Sequence, residues 1–244
     1  MIILKIIGGV MAFCLIYHYA TKKYLNPYKL VMVFGKKGSG KTTLLTKLVM
    51  ECNKKDVPVY STEVIPGSYL IDPKDIGYCE FQENSVVLID EVGMVWDNRG
   101  FKDFDPKVRD WFKLQRHRKV KVYLFSQTFD VDKKIRDLTD EMYLIERKLR
   151  IFSYAKRILK RTVLLESKNN EKGESKLSED LVFDSLLFFW CGSRKFTFIP
   201  KYAGLFDSFV APKLADKEFD LTPFPIPVKK ASFWMSLKSR FDAS

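Results

Sequence analysis

Apolar residues fall into two patterns along this chain, and the change between them divides it. Up to position 126, short continuous apolar runs, Leu30 to Phe34, Val86 to Ile89 and Val122 to Phe125, alternate with stretches of helical period. Continuous runs bounded by polar residues are expected of parallel strands buried on both faces, with the helical stretches as crossovers. The pattern predicts strands at 30–34, 57–62, 86–90 and 121–126 and helices at 41–53 and 106–117. A connection bearing Pro66, Gly67 and Pro73 joins the second and third strands. The 106–117 helix is the best signalled, with Asp105 as cap, Pro106 in the first turn, and Val108, Trp111, Phe112 and Gln115 on one face. The expected fold class is therefore α/β, a mainly parallel sheet flanked by helices over 29–146.

Beyond Met142 the period shortens. Segments 142–146, 150–159, 161–166, 181–190 and 195–199 read as strands of a small β-rich extension, 147–210, interrupted by a polar loop from Lys168 to Asp180. From about 211 to 244 the chain reads as a tail, where Pro223, Pro225 and Pro227 forbid regular structure. Within it, Lys229 to Phe241 could form a basic amphipathic helix with Phe233, Trp234, Leu237 and Phe241 on one side, or fray.

The amino terminus has a different pattern again. Met1 to Ala20 is apolar apart from Lys5 and His18, close to the roughly 20 residues that span a bilayer as a helix. The expectation is a transmembrane anchor at 1–21, with Lys22, Lys23 and Lys29 holding the rest of the chain in the cytoplasm. A cleaved secretory signal and a buried helix of a soluble protein are the competing readings.

Chemistry enters directly after the first strand. Gly35-Lys36-Lys37-Gly38-Ser39-Gly40-Lys41-Thr42, followed by Thr43, is a phosphate-binding loop between a strand and a helix. Its glycines let backbone N–H groups turn inward toward phosphate at the positive end of the following helix. Lys41 would reach the β- and γ-phosphates, and the Thr42 hydroxyl would ligate Mg²⁺. The strand at 86–90 ends in Asp90-Glu91, at the strand end where open α/β sheets bind ligands. Asp90 is the candidate metal carboxylate and Glu91 the residue that activates water. Gln127, closing the 121–126 strand, is the candidate γ-phosphate sensor; an ordinary polar residue ending a strand is the alternative. The nucleotide expected is ATP, with Mg²⁺ as cofactor. No Asn-Lys-x-Asp sequence for guanine is present.

Charge adds a class of partner. The chain of 244 residues carries +12, and 101–161 alone holds 18 Lys/Arg against 9 Asp/Glu. A localised basic surplus favours polyanions, either nucleic acid or anionic lipid. Cys14, Cys52, Cys79 and Cys191 show neither metal spacing nor close pairing and read as buried thiols in a reduced compartment. Two histidines are too few for a metal site.

Several of these segments together resemble one family. Phe34 to Thr43, Tyr69-Leu70-Ile71-Asp72-Pro73, Leu88 to Gly93, Gln115-Arg116-His117-Arg118 leading into Phe125-Ser126-Gln127, Val131 to Asp137 and Lys201 to Asp207 are similar to the Zot (zonula occludens toxin-like) family. That family includes the filamentous-phage assembly ATPases, within the wider FtsK/HerA group, and the resemblance runs from about 29 to about 210. It implies a P-loop ATPase at the inner membrane that drives assembly and export of a filamentous virion, acting on coat protein or an ssDNA–protein complex. It further implies a homo-oligomeric ring, a hexamer being one option, with nucleotide at subunit interfaces. Arg116, Arg118 or Arg136 would then complete a neighbour's site in trans. A plasmid or conjugative DNA translocase and a nucleotide-gated scaffold with little hydrolysis are the alternatives. Better-known phage members carry their membrane span after the ATPase domain, whereas the only plausible span here is at the amino terminus.

Overall fold

The computed structural model describes residues 2–96, 105–128, 131, 133–166, 175–185 and 192–206. The chain divides into two units, Met1–Ser208 and Phe209–Ser244. The second unit, and with it the predicted tail and amphipathic helix, lies outside the described residues.

Among the described residues, nine strands form one sheet. The first strand, β1 (Leu30–Phe34), leads into α2 (Lys41–Asn53), which follows the N-terminal helix α1 (Ile2–Thr21) in chain order. Then come β2 (Val59–Ser61), β3 (Tyr69–Leu70), β4 (Val86–Ile89), a single helical turn α3 (Val92–Val95), α4 (Pro106–Leu114) and β5 (Lys121–Ser126). A short helix α5 (Lys133–Leu138) precedes β6 (Glu141–Lys148), β7 (Phe152–Glu166), β8 (Ser175–Phe183) and β9 (Arg194–Phe198). The spatial order is β3-β2-β4-β5-β1-β6-β7-β8, with β9 also on β7. Every pair from β3 to β6 is parallel, and β7 to β9 form an antiparallel wing.

The continuous apolar runs are explained by burial from both sides. Alternate residues of β1 point into different cores: Leu30, Met32 and Phe34 meet Val108, Trp111 and Phe112 of α4 and Ile135 of α5. Val31 and Val33 meet Leu44, Leu45 and Val49 of α2. A strand covered this way keeps no polar position, and all five residues of β1 are buried. The Asp105 carboxylate accepts a hydrogen bond from the Lys107 N–H, with Pro106 in the first turn, so α4 starts where its cap and proline predicted.

Several expectations need correction. The strand expected at 57–62 is shorter, and the segments 150–159 and 161–166 are one 15-residue strand. That length is possible because two partners share its far edge: β9 pairs with 152–156 and β8 with 158–166. The second half of the predicted loop 168–180 belongs to β8, and β8 ends at Phe183, with 186–190 outside the described residues. Cys14 and Cys79 are exposed and Cys52 half-buried, so the expectation of buried thiols fails for them; Cys191 is outside the described residues.

α1 is long but leaves its apolar side chains uncovered, with Ile6, Phe13 and Ile16 each at least 60% exposed. Among the described residues no helix is long and apolar enough to cross a membrane. The side chains of residues 1–4 lie outside that set, and Lys5 and His18 interrupt the run. The transmembrane span expected at 1–21 is therefore not supplied by the described residues.

Candidate nucleotide site

The loop after β1 is shaped by contacts that leave no room for side chains. A methyl group on Gly35 would come within 2.7 Å of the Ile145 carbonyl oxygen and 2.6 Å of Ser39 Oγ. Gly35 is thereby clamped between its own loop and β6, and its N–H donates to the Ser126 carbonyl at 3.1 Å. Gly40, at the start of α2, has φ 95°, a conformation that side-chain-bearing residues rarely adopt. A methyl group there would lie 2.8 Å from Ser153 Cβ of β7. The wing thus forms one wall of the loop, which the sequence alone did not indicate.

Register brings the acidic and amide residues to the same place. β5 lies between β1 and β4, with Phe34 opposite Ser126 and Ile89 opposite Leu124. Because all three strands run parallel, Gly35, Asp90 and Gln127 leave the same edge of the sheet. Gln127 Nε2 donates to Glu91 Oε1 at 2.7 Å, and Lys41 Nζ stands 4.0 Å from that oxygen. Lys41 is buried and donates to the Gly35 carbonyl at 2.9 Å. Thr42 is half-buried at the first turn of α2, and Thr43 is buried beneath it. Lys36, Lys37 and Gly38 are exposed at the loop's tip, while Ser39 is buried.

The two carboxylates differ in environment. Asp90 is 9% exposed, and burial pushes its carboxyl up to about 6, reinforced by the nearby Glu91 and Glu63 carboxylates. The Glu91 N–H, which donates to Asp90 Oδ1 at 2.9 Å, and Lys41 oppose that rise. A buried carboxylate held out of water this strongly is the donor a divalent cation would satisfy, so Asp90 and the Thr42 hydroxyl fit Mg²⁺. Among the described residues no group of three or more His, Cys, Asp or Glu could hold a metal, so the remaining donors would come from phosphate and water. Glu91 is less buried, with its side chain 31% exposed, and its backbone is left-handed at φ 47°, ψ 45°. That turn separates its direction from that of Asp90 although the two are adjacent.

Two residues at this edge went unnoticed in the sequence. Thr62, just after β2, accepts the Asp90 N–H on Oγ1 at 2.9 Å, and burial together with the Glu91 charge raises the Glu63 carboxyl above its usual range. Both follow a strand of the same parallel set, which is the signal that could have found them. The arginines fall elsewhere. Arg116 and Arg118 precede β5 and Arg136 precedes β6, at the edge of the sheet opposite the loop, about 20 Å away for a six-residue strand. Arg118 Nη1 pairs with Glu80 Oε1 at 2.7 Å, Arg116 is exposed, and the Arg136 carbonyl accepts from Lys160 Nζ. None of the three stands at the nucleotide loop of its own chain.

A family model described as "Zonular occludens toxin (Zot)" matches residues 71–173. No curated protein matches the sequence. Among solved structures, the N-terminal domain of zonular occludens toxin from Neisseria meningitidis is 16% identical over 65% of this chain and 95% of that one, with a TM-score of 0.37. The genome packaging NTPase B204 from Sulfolobus turreted icosahedral virus 2, in complex with ATP-gammaS, is 14% identical over 51% and 77%, with a TM-score of 0.41. The flagellar accessory protein FlaH from Methanocaldococcus jannaschii is 13% identical over 63% and 90%, with a TM-score of 0.43. The family match takes in Asp90, Glu91 and Gln127 and begins after the loop at 35–43.

Proposed function

We propose that this chain is a Mg²⁺-dependent ATPase motor that drives assembly and export of a filamentous virion from the cytoplasmic face of a membrane. The observation that carries the hydrolytic part is the meeting of Lys41, Glu91 and Gln127 at the ends of three neighbouring parallel strands. The loop amides from Gly35 to Thr43 and Lys41 would neutralise phosphate charge. Thr42 and Asp90 would hold Mg²⁺, which when bound supplies further positive charge against the phosphate oxygens. Glu91 would orient a water and take its proton, and Gln127, bonded to Glu91, would sense the γ-phosphate through that carboxylate.

The Zot match supports the virion-assembly context, and the position of Arg116, Arg118 and Arg136 at the opposite edge fits a role only across an interface, as in a ring. Attachment to the inner membrane through residues 1–21 rests on the exposed apolar side chains of α1 with Lys23 just beyond it. The test is ATPase activity of the purified full chain, with Lys41→Ala and Glu91→Gln beside it. Turnover lost in both variants, with ATP binding kept in Glu91→Gln, is the expected result; wild-type turnover in Glu91→Gln removes that residue from the role. Fractionation of cells expressing the chain is expected to place it in the membrane pellet, and a soluble chain would remove the anchor.

A further inference from the structure

The antiparallel wing presents different chemistry on its two faces. Odd-numbered residues of β7 turn toward the nucleotide loop: Ser153 meets Gly40, and Ala155 packs into the core with Leu44 and Leu45. Even-numbered residues turn the other way, and there the pattern is aromatic. Phe152 lies against Phe198 with ring centroids 5.4 Å apart, and Tyr154 against Phe196 at 4.6 Å. Phe196 and Phe198 keep 47% and 44% exposure, while Phe152 and Tyr154 are half-buried beneath them. Lys156 follows on the same face, within 5.8 Å of the Tyr154 ring. Lys148, opposite Phe152 in β6, completes the strip. Both lysines share one carboxylate, Glu146, at 2.9 and 3.9 Å, so the strip remains positive. The hairpin tip adds exposed Arg150.

We infer that this face binds single-stranded nucleic acid, with bases on the Phe152/Phe198 and Tyr154/Phe196 ring pairs and phosphates near Lys148, Lys156 and Arg150. Solvent-reaching rings interleaved with lysines are what sequence-tolerant single-strand binding requires, because every base has a face to stack. The two ring pairs are two residues apart along the strand, about 7 Å. Successive bases of an unstacked single strand reach across that gap, whereas duplex bases held at about 3.4 Å do not. The surplus of 18 Lys/Arg over 9 Asp/Glu across 101–161, which contains β6 and most of β7, supplies the long-range attraction. This inference rests on the proposed reading of the chain as a virion-assembly ATPase motor, and it gives that motor a contact with the virion's nucleic acid. Ser153 against the loop and Phe152 and Tyr154 against the strand are neighbours in one chain, so load and nucleotide meet across the thickness of a single β-strand.

The experiment is fluorescence anisotropy with a labelled oligo-dT and the full chain, comparing wild type with Phe196→Ala/Phe198→Ala. The expected result is at least tenfold weaker binding in the double variant, recovered in Phe196→Trp/Phe198→Trp. A duplex of equal length should bind with no such dependence on the two positions. Basal ATPase measured on the same samples reports folding and the ATPase reading separately. Equal oligo-dT binding by wild type and the double variant, with ATPase intact, overturns the inference and leaves the ATPase reading standing. An oligomer of the wild type that the double variant dissociates, with oligo-dT binding unchanged, overturns it in favour of a subunit contact.

Discussion

Replacing Asp90 by Asn should stabilise the protein while abolishing its hydrolysis. Burial raises the Asp90 carboxyl from an ordinary 3.8 to about 6, so the folded protein prefers it protonated. A folded value above the unfolded one means that stability is fully present below about 3.8 and is lost as pH rises through about 6. At about 1.4 kcal/mol per tenfold step, the loss at neutral pH is about 3 kcal/mol. Asn keeps an oxygen to accept the Glu91 N–H but has no charge to bury. Urea unfolding in EDTA, followed by circular dichroism, should therefore show Asp90→Asn about 3 kcal/mol more stable than wild type near pH 8 and equal to it near pH 3.5. A variant no more stable at pH 8, or a gain that persists unchanged at low pH, would refute the assignment of burial as the cause.

Gly35→Ala should cost about 1 to 3 kcal/mol, because its methyl group meets the Ile145 carbonyl at 2.7 Å and backbone cannot swing aside; thermal unfolding reads this. Asp184→Ala removes the carboxylate paired with Arg157 at 2.5 Å and should destabilise by about 3 to 5 kcal/mol, seen as a lowered urea midpoint. Arg118→Ala breaks only a pair with the exposed Glu80 and should change stability by less than about 1 kcal/mol. Its effect on turnover should appear only at concentrations where the chain associates, which a dilution series of ATPase rates would test.

The grouping of the candidate residues was readable because they are tied to strand ends. Lys41, Asp90, Glu91 and Gln127 each follow a continuous apolar run, and parallel pairing brings those ends to one edge whatever the strand order. β5 between β1 and β4 could not be read, since the apolar pattern carries no information on neighbours. The arginines illustrate the limit. A resemblance suggested chemistry for Arg116, Arg118 and Arg136, but each precedes a strand, and direction along the strand decides which edge a residue occupies. β3, α3 and α5, of two, four and six residues, are too short to carry a period. In the wing, Lys160 split β7 into two expected strands, because a strand with a half-solvated face lacks the unbroken apolar run of the parallel core. Ser153 had no signal, because it reaches Gly40 only through the β6 to β7 hairpin and the sheet's pairing.

Position 91 is under two incompatible demands. Its backbone at φ 47°, ψ 45° suits glycine or asparagine, and a longer side chain there costs about 1 kcal/mol or more. The chemistry asks for a carboxylate bonded to Gln127. A library randomised at this codon and sorted for folding alone should drift to Gly or Asn, while one sorted for turnover should keep Glu. The frequencies of the two outcomes would measure, in a single population, what the proposed ATPase gives up in fitness of the fold to keep a carboxylate at this position.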